Sequence, residues 1–554
     1  MSADCMELGF TAIPPCLAVQ TVYAVLFGAT NTNAYELPGA KYIGSGNVNL
    51  VALLAVSPSN SIRFIYFLIL ICFGLSNNAG SASIGSVTID GKIYNQISFR
   101  PEFSMKKLKL GLDLYFYLDD EGGFYEKPWD FSTGEKAFEN ILDKILYLQY
   151  NNPSDRLYFR LGSMPSKTLG YGIIVNQYSN TVQYPNIRRL GFELKHNGNI
   201  SSELFLSDIK RSPGLVASRL TFPVLDNNFD IGIFAAADFN MTKGLIDSDD
   251  DGYPDYFDDF PNDADKNNQE WEDYLDNPTW YEENVIGVSD CTTNDCVEEI
   301  LQDAPGYNSY DSNDYSDDNI YAIGLDASWK FSKKWTIYSQ FAKLSGEKIN
   351  NDPLGYGLVP IAINGRGGSR NFKWSISAEA RSNSRHFMYS FWDQTYELNR
   401  AQVIIVDGQQ KIQTKREQLE EFGKLKGYYL NTNISMFDLI DFDLSYQDME
   451  GETWDGFQFQ DNERSKSLLG TISFDTSRIP ILYLARIYYQ RNNDTDFDLS
   501  SPTLNTIHGY DLGVELSSGV VLVYKGKTTY ISDPNNPGEL KPNFTLQVET
   551  LIDL

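Results

Sequence analysis

The chain has 554 residues, a formal net charge of −29 and 14% aromatic residues, among them 35 Tyr and 33 Phe. So acidic a balance argues against nucleic acid as a partner. No apolar run beyond residue 82 is long enough for a membrane-spanning helix. The length alone would suggest three or four domains, but no Pro-rich or Gly/Ser-rich linker divides the chain.

Taken from the start, the first clear element is the twelve-residue apolar run Phe64 to Leu75, preceded by Arg63 and followed by S-N-N-A-G-S-A-S. This is a charged n-region, a short h-region and a small-residue cleavage zone, the form of an export signal at 63–82. Cleavage is expected after Ala82 or Ala79. Residues 1–62 then lie upstream of the export signal, as a mis-assigned translation start would leave them. The mature region is expected at 83–554.

The mature region alternates. Leu108, Leu110, Leu112, Leu114, Phe116 and Leu118 lie on one face, against Lys107, Lys109, Gly111, Asp113, Tyr115 and Tyr117 on the other. Ser132 and Thr133 then precede a helix whose apolar side is Phe138, Ile141, Leu142 and Ile145, either in the lumen of a barrel or packed in a loop. Alternation resumes at 229–239. It is cleanest where Tyr321, Ile323, Leu325, Ala327, Trp329 and Phe331 alternate with Ala322, Gly324, Asp326, Ser328 and Lys330. After a tight S-K-K turn come Trp335, Ile337 and Phe341, then Phe372, Trp374, Ile376, Ala378 and Ala380. Further ladders follow at 440–446, 468–474, 481–489 and 512–516, and Phe544, Leu546, Val548, Ile552 and Leu554 close the chain.

Runs of about nine to twelve residues match a tilted membrane strand; strands of a soluble sandwich, the alternative, average about five or six. The expected fold is all-β, an antiparallel transmembrane barrel of about 16–20 strands. Its apolar faces point outward, and its last strand pairs with its first. Short turns alternate with long polar connections, expected outside the cell at 240–318, 346–370, 395–423, 449–465 and 491–507.

Between Asp247 and Asp318 stand twenty-four acidic side chains and one basic, Lys266. A block so charged is expected to have no core of its own, and to be solvated or bind cations. Its start, D-S-D-D-D-G-Y-P-D-Y-F-D, places Asp247, Asp249, Asp251, the Tyr253 carbonyl, Asp255 and Asp258 at positions 1, 3, 5, 7, 9 and 12 around Gly252. Calcium takes six to eight hard oxygen ligands, and this spacing supplies them. The last position is Asp where an EF-hand has Glu. Cys291 and Cys296, separated by four residues, are expected to form a local disulfide.

Together the export signal, the loop asymmetry and the terminal strand resemble bacterial outer-membrane porin-like proteins over residues 83–554. The chain ends in Leu554, where that group usually has an aromatic residue. Residues 161–191 look similar to a stretch of other outer-membrane barrels. The calcium motif with the following F-P-N-D-A-D resembles a thrombospondin type-3 repeat, and its first half is shared with dockerin repeats.

The three histidines, His196, His386 and His508, stand in no catalytic motif, and an enzyme is not expected. Arg160, Arg188, Arg189, Arg211, Arg219, Lys373, Arg381 and Arg486 are assigned to inward faces, where they would either set ion selectivity or form salt bridges that fill the barrel. The leading expectation is a passive outer-membrane channel for small polar solutes, with membrane lipid and solute as partners. The alternative is a calcium-dependent surface-binding barrel whose acidic loop meets an extracellular partner.

Overall fold

In strand Ile320–Trp329 every second residue is buried, and after Ile320 the buried set is the small and polar one. Asp326 is 2% exposed, whereas Ile323 and Leu325 are 60% and 51% exposed. Strand Phe229–Asp238 repeats the inversion, with Gly232, Phe234, Ala236 and Asp238 covered and Ile231 and Ile233 open. Water rejects an outer face of this kind and lipid accepts it.

A computed structural model describes residues 80–553 except 90–91, 120–121, 185–186, 211–213, 225–227, 246, 248–250, 262, 264, 302–317, 407–408, 475, 477–481, 495–500, 504–505, 518–519 and 533–539. The upstream extension and most of the export signal lie outside these. The described residues include one sheet of 21 strands and a separate two-stranded hairpin. Leu108–Leu112 and Leu114–Leu118 both pair with Lys92–Met105, so they are two halves of one stave interrupted at Asp113. Twenty staves remain, at the top of the expected range.

The last strand, Leu540–Asp553, pairs with Val520–Ser532 on one side. On the other it meets Gly80–Ile89 in register Ser81↔Asp553 to Ile84↔Thr550. An all-antiparallel order can return to its first strand only with an even number of staves, and twenty meets that condition. The first stave begins at Gly80 and includes Ser81 and Ala82.

Following the staves alternately up and down sorts the connections into two sets. At one end they are short: 106–107, 151–156, 197–200, 225–228, 330–334, 370–371, 437–439, 475–481 and 518–519. The other end carries 119–144, 163–190, 207–215, 239–319, 347–355, 384–424 and 495–505, together with the shorter 90–91, 455–458 and 533–539.

Three expected loops are shorter than the sequence suggested. Most of 346–370 is strand Tyr356–Ser369, with Pro360 accommodated where the register shifts between Leu358 and Ala362. A bulge tolerates a residue without an N–H. The 449–465 loop reduces to 455–458, because Ile440–Trp454 and Phe459–Phe474 continue their ladder as a polar hairpin. The 491–507 loop reduces to 495–505. Beyond the apolar belt the alternation fades while the backbone pairing goes on.

The helix expected after Thr133 spans Gly134–Leu142, with the Thr133 hydroxyl accepting from Lys136 N. Phe138 and Ile141 are exposed, and Ile145 begins the next strand instead of extending the helix.

The acidic block departs further from expectation, because part of it has a core. Helices Gln269–Asp276, Pro278–Asn284 and Asn294–Leu301 gather Tyr281, Val288, Val297 and Leu301, with Trp271 and Tyr274 packed against them. Asn268 caps the first helix by accepting from Glu270 N and Trp271 N. Asp273, Asp276, Glu282, Glu283, Asp290 and Glu299 stay exposed, and the few aromatics suffice for a small core. Cys291 and Cys296 are joined in a disulfide beside it, with Cα atoms 5.5 Å apart.

Tyr281 donates to Glu270 Oε1 at 2.9 Å. Burial, then this carboxylate, pushes its phenol up to about 12. The folded state therefore favours the neutral phenol. That contribution is complete below the unfolded value of about 10 and is lost as pH rises through about 12. Tyr281→Phe keeps the ring and should flatten this alkaline loss, read as proteolysis within 269–301 across that range. An unchanged profile would show that Tyr281 does not couple the helices to pH.

Candidate functional site

Two of the long connections turn inward. Leu169, Ile173, Ile174, Val175 and Tyr178 of 163–190 are each no more than 2% exposed. They pack with Phe387, Phe391, Trp392 and Tyr396 of 384–424 against the inner faces of several staves, at Phe205, Ala217, Phe234, Ala236, Ala322, Tyr338 and Ala362. The two connections are stitched by backbone: Ser390 N donates to Ile173 O and Trp392 N to Ile174 O, both at 2.9 Å, and Asn176 N donates to Trp392 O at 3.0 Å. Tyr171 stacks on Tyr338 with centroids 4.0 Å apart. Gly170 adopts φ +61 where a Cβ would stand 3.1 Å from Asp326 Oδ2 and 3.2 Å from Arg219 Nε. An apolar plug thus fills the arc of lumen bounded by staves 201–369.

Buried ion pairs hold the plug together and, through Arg400, fix it to the wall. Arg400 donates to both Asp238 oxygens at 2.6 and 2.9 Å, and the Tyr396 hydroxyl donates to Asp238 Oδ2 at 2.7 Å. Arg189 meets Glu397 at 3.3 Å, and Tyr178 donates to the same carboxylate. Lys415 pairs with Asp393 at 3.2 Å. Burial lowers the Lys415 ammonium, with Asp393 opposing that shift.

The arc that begins beyond stave Phe372–Asn383 is polar. On its inner face Asn431 donates to Ser445 Oγ at 2.7 Å, Asn433 donates to Asp443, and Ser435 donates to Asp441. These side chains are half-buried, while Tyr428 and Leu430 on the outer face are exposed. Arg486 pairs with Asp511 at 2.6 Å with 48% of its side chain exposed, so water reaches it.

The eight basic residues assigned to inner faces have different fates. Arg219 is held by Asp326 at 2.7 and 2.9 Å beneath the plug. Arg381 contacts Glu379 and Gln447 and lies 3.9 Å over the Tyr429 ring, at the border between plug and polar arc. Arg160 donates to Gln149 Oε1 at 2.9 Å. Lys373 reaches Asp438 in a short turn at 3.1 Å and sits at that mouth. Arg188 and Arg189 are not on staves; both belong to the infolded 163–190 connection, where Arg188 pairs with Asp113. Arg211 lies outside the described residues. All seven described cations meet acids or amides, which both expectations for them allow.

In the calcium-like segment Gly252 has φ +102, the left-handed turn that a glycine at position six provides. Asp247 Oδ2 accepts from Gly252 N at 3.1 Å, and Asp251 Oδ1 accepts from Tyr253 N at 2.7 Å. Asp255 and Asp258 follow in the same turn series, and Asp249 lies outside the described residues. No group of three His, Cys, Asp or Glu is gathered at metal-holding distance among the described residues. Phe257 anchors the segment by packing with Ala401 and Ile412 of hairpin 401–414.

A cavity of about 340 Å³ opens at the long-connection end. Trp454 and Phe459 form one wall, with centroids 5.0 Å apart at 64°. Asn350, Asp352, Glu420 and Gln458 bring polar groups, with Arg385 and His386 beside them. Arg385 is committed to Glu452 through two hydrogen bonds of 2.7 and 2.8 Å and lies 4.4 Å over the Phe459 ring. His386 Nδ1 stands 2.9 Å from Leu419 O. A carbonyl only accepts, so Nδ1 is the donor in this contact. No sequence pattern announced this cavity.

No protein-family model and no curated protein matches the chain. Among solved structures it is similar to Wzi of Escherichia coli, an outer membrane protein involved in group 1 capsule assembly and described as a carbohydrate-binding β-barrel. That likeness has 10% identity over 91% of both chains and a TM-score of 0.32. It is similar also to OccK8 (OprE) of Pseudomonas aeruginosa, with 9% identity over 86% of this chain and 95% of that one and a TM-score of 0.31. OccAB4 of Acinetobacter baumannii has 10% identity over 85% and 95%, with a TM-score of 0.28. At such scores these likenesses carry no part of the barrel assignment, which rests on the strand ladders and the inverted burial.

Proposed function

We propose that the protein is a porin-like barrel of the bacterial outer membrane, passing small polar solutes along the arc that the plug leaves free. The observation that carries this reading is the contrast across the lumen: an apolar plug on one side, and on the other a half-buried row of Asn, Ser and Asp ending at the water-facing Arg486–Asp511 pair. A polar, hydrated wall lets ions and hydroxylated solutes pass, and a partial plug limits their size. Purified barrel in planar bilayers should give small, discrete conductance steps. A folded, heat-modifiable protein that never conducts would sink this reading.

The acidic segment adds a calcium function to the proposal. Asp247, Asp249, Asp251, the Tyr253 carbonyl, Asp255 and Asp258 would hold the ion, with Gly252 making the turn. Affinity on the order of 10⁻⁴–10⁻³ M is usual for extracellular modules and would suffice outside a cell. Calcium should slow proteolysis of 247–265, and magnesium should do so poorly because it demands tighter octahedral geometry. Asp251→Ala should abolish the protection and leave barrel assembly intact. Equal cleavage in calcium and in chelator would reduce the motif to a run of acids. Calcium-dependent binding that survives a blocked lumen would favour a surface-binding role for the loop over the channel.

A further inference from the structure

We infer that the cavity between Trp454 and Phe459 on one side and Asp352, His386 and Glu420 on the other is a binding site for a neutral saccharide. Its volume of about 340 Å³ lies at the small end of ligand pockets, about 300–1,000 Å³, and suits a mono- or disaccharide. The chemistry of the walls differs in the way a sugar ring differs between its face and its rim. The edge-to-face aromatic pair offers an apolar corner to the C–H face of a pyranose. The rim hydroxyls, each both donor and acceptor, meet the carboxylate oxygens of Asp352 and Glu420 and the amides of Asn350 and Gln458.

Charge selects within that class. The Arg385 cation is spent on Glu452 and the Phe459 ring, so Asp352 and Glu420 leave the cavity acidic. Asn350 donates to Glu420 Oε1 at 2.6 Å and orients that carboxylate. A uronic acid or a phosphorylated sugar would bring like charge into a partly enclosed site and be rejected. A small organic cation is the competing occupant. The guanidinium already over the Phe459 ring argues against it, because the aromatic face that a second cation would seek is taken.

The cavity opens among the long connections, so this reading does not require the lumen to conduct.

The test uses the full barrel in a detergent without a sugar headgroup. Titration calorimetry, and the tryptophan fluorescence lost on Trp454→Leu, would be followed with maltose, cellobiose, lactose, glucuronate and choline. The expected result is binding of at least one neutral disaccharide, with glucuronate and choline at least about 10-fold weaker. Trp454→Leu, which removes the aromatic wall, and Asp352→Asn, which keeps the size and removes the charge, should each weaken that binding by about 10-fold or more and leave bilayer conductance unchanged. Absence of binding by all three disaccharides, indifference to both substitutions, or preference for glucuronate or choline would each overturn the assignment. A barrel that binds sugar without conducting would overturn the channel reading alone.

Discussion

Arg400→Ala should turn a small-conductance barrel into a wide one. The Arg400 side chain is 4% exposed and faces Asp238, whose side chain is fully covered. It also donates to Asn240 O at 2.7 Å, so it ties the 384–424 connection to stave Phe229–Asp238 and to the residues just beyond it. Removing one partner of a buried pair costs about 3–5 kcal/mol, since the other charge is left without compensation. The Tyr396 hydroxyl and Asn240 N remain as donors to Asp238, which places the expected cost toward the lower end. The barrel ladders do not pass through this contact, so the loss falls on the plug. The connection should leave the lumen, conductance should rise, larger solutes should pass, and trypsin should reach Lys415 and Arg416. Adding Asp238→Ala removes the stranded charge and should restore much of the closure. If the single and double variants conduct alike, Arg400 is not the latch.

What made the wall legible also hid the plug. A stave that meets lipid on one side must alternate, so Tyr321 to Trp329 declared its outer face in the sequence. Leu169, Ile173, Ile174, Val175 and Tyr178 follow no period, because their burial is set by the inner faces of distant staves and by Trp392 and Tyr396. Arg188 and Arg189 read as strand-face residues for the same reason: they precede stave Gly191–His196 directly, and only the three-dimensional course of 163–190 removes them from it. The acidic block misled through its charge. Trp271, Tyr274 and Tyr281 are few among many carboxylates, yet three short helices bring them together. The cysteine pair, by contrast, is local, and spacing alone sufficed. The saccharide cavity could not be read at all, since its walls come from 347–355, 384–424 and the 454–459 hairpin tip, far apart in the chain.

Leu325→Arg should damage the barrel more than the same change a few residues away. Leu325 is 51% exposed and stands midway between Tyr321 and Trp329 on the outer face of its stave. Those aromatics, 40% and 52% exposed, suit the two interfacial girdles, which puts Leu325 near the centre of the apolar belt. An arginine at the midplane of a barrel costs about 2–4 kcal/mol, and near an interface about 0–1. Tyr321→Arg should therefore be mild, its long side chain reaching the polar layer. The neighbouring Asp326 points inward to Arg219, so a change there would test the lumen and not the lipid face. Urea unfolding of the barrel in lipid vesicles gives the comparison directly, as the difference between the two variants. A graded loss, large at 325 and small at 321, places the outer face in hydrocarbon. Equal and small losses at both positions would mean that this face meets water, and the membrane-spanning reading would fall with it.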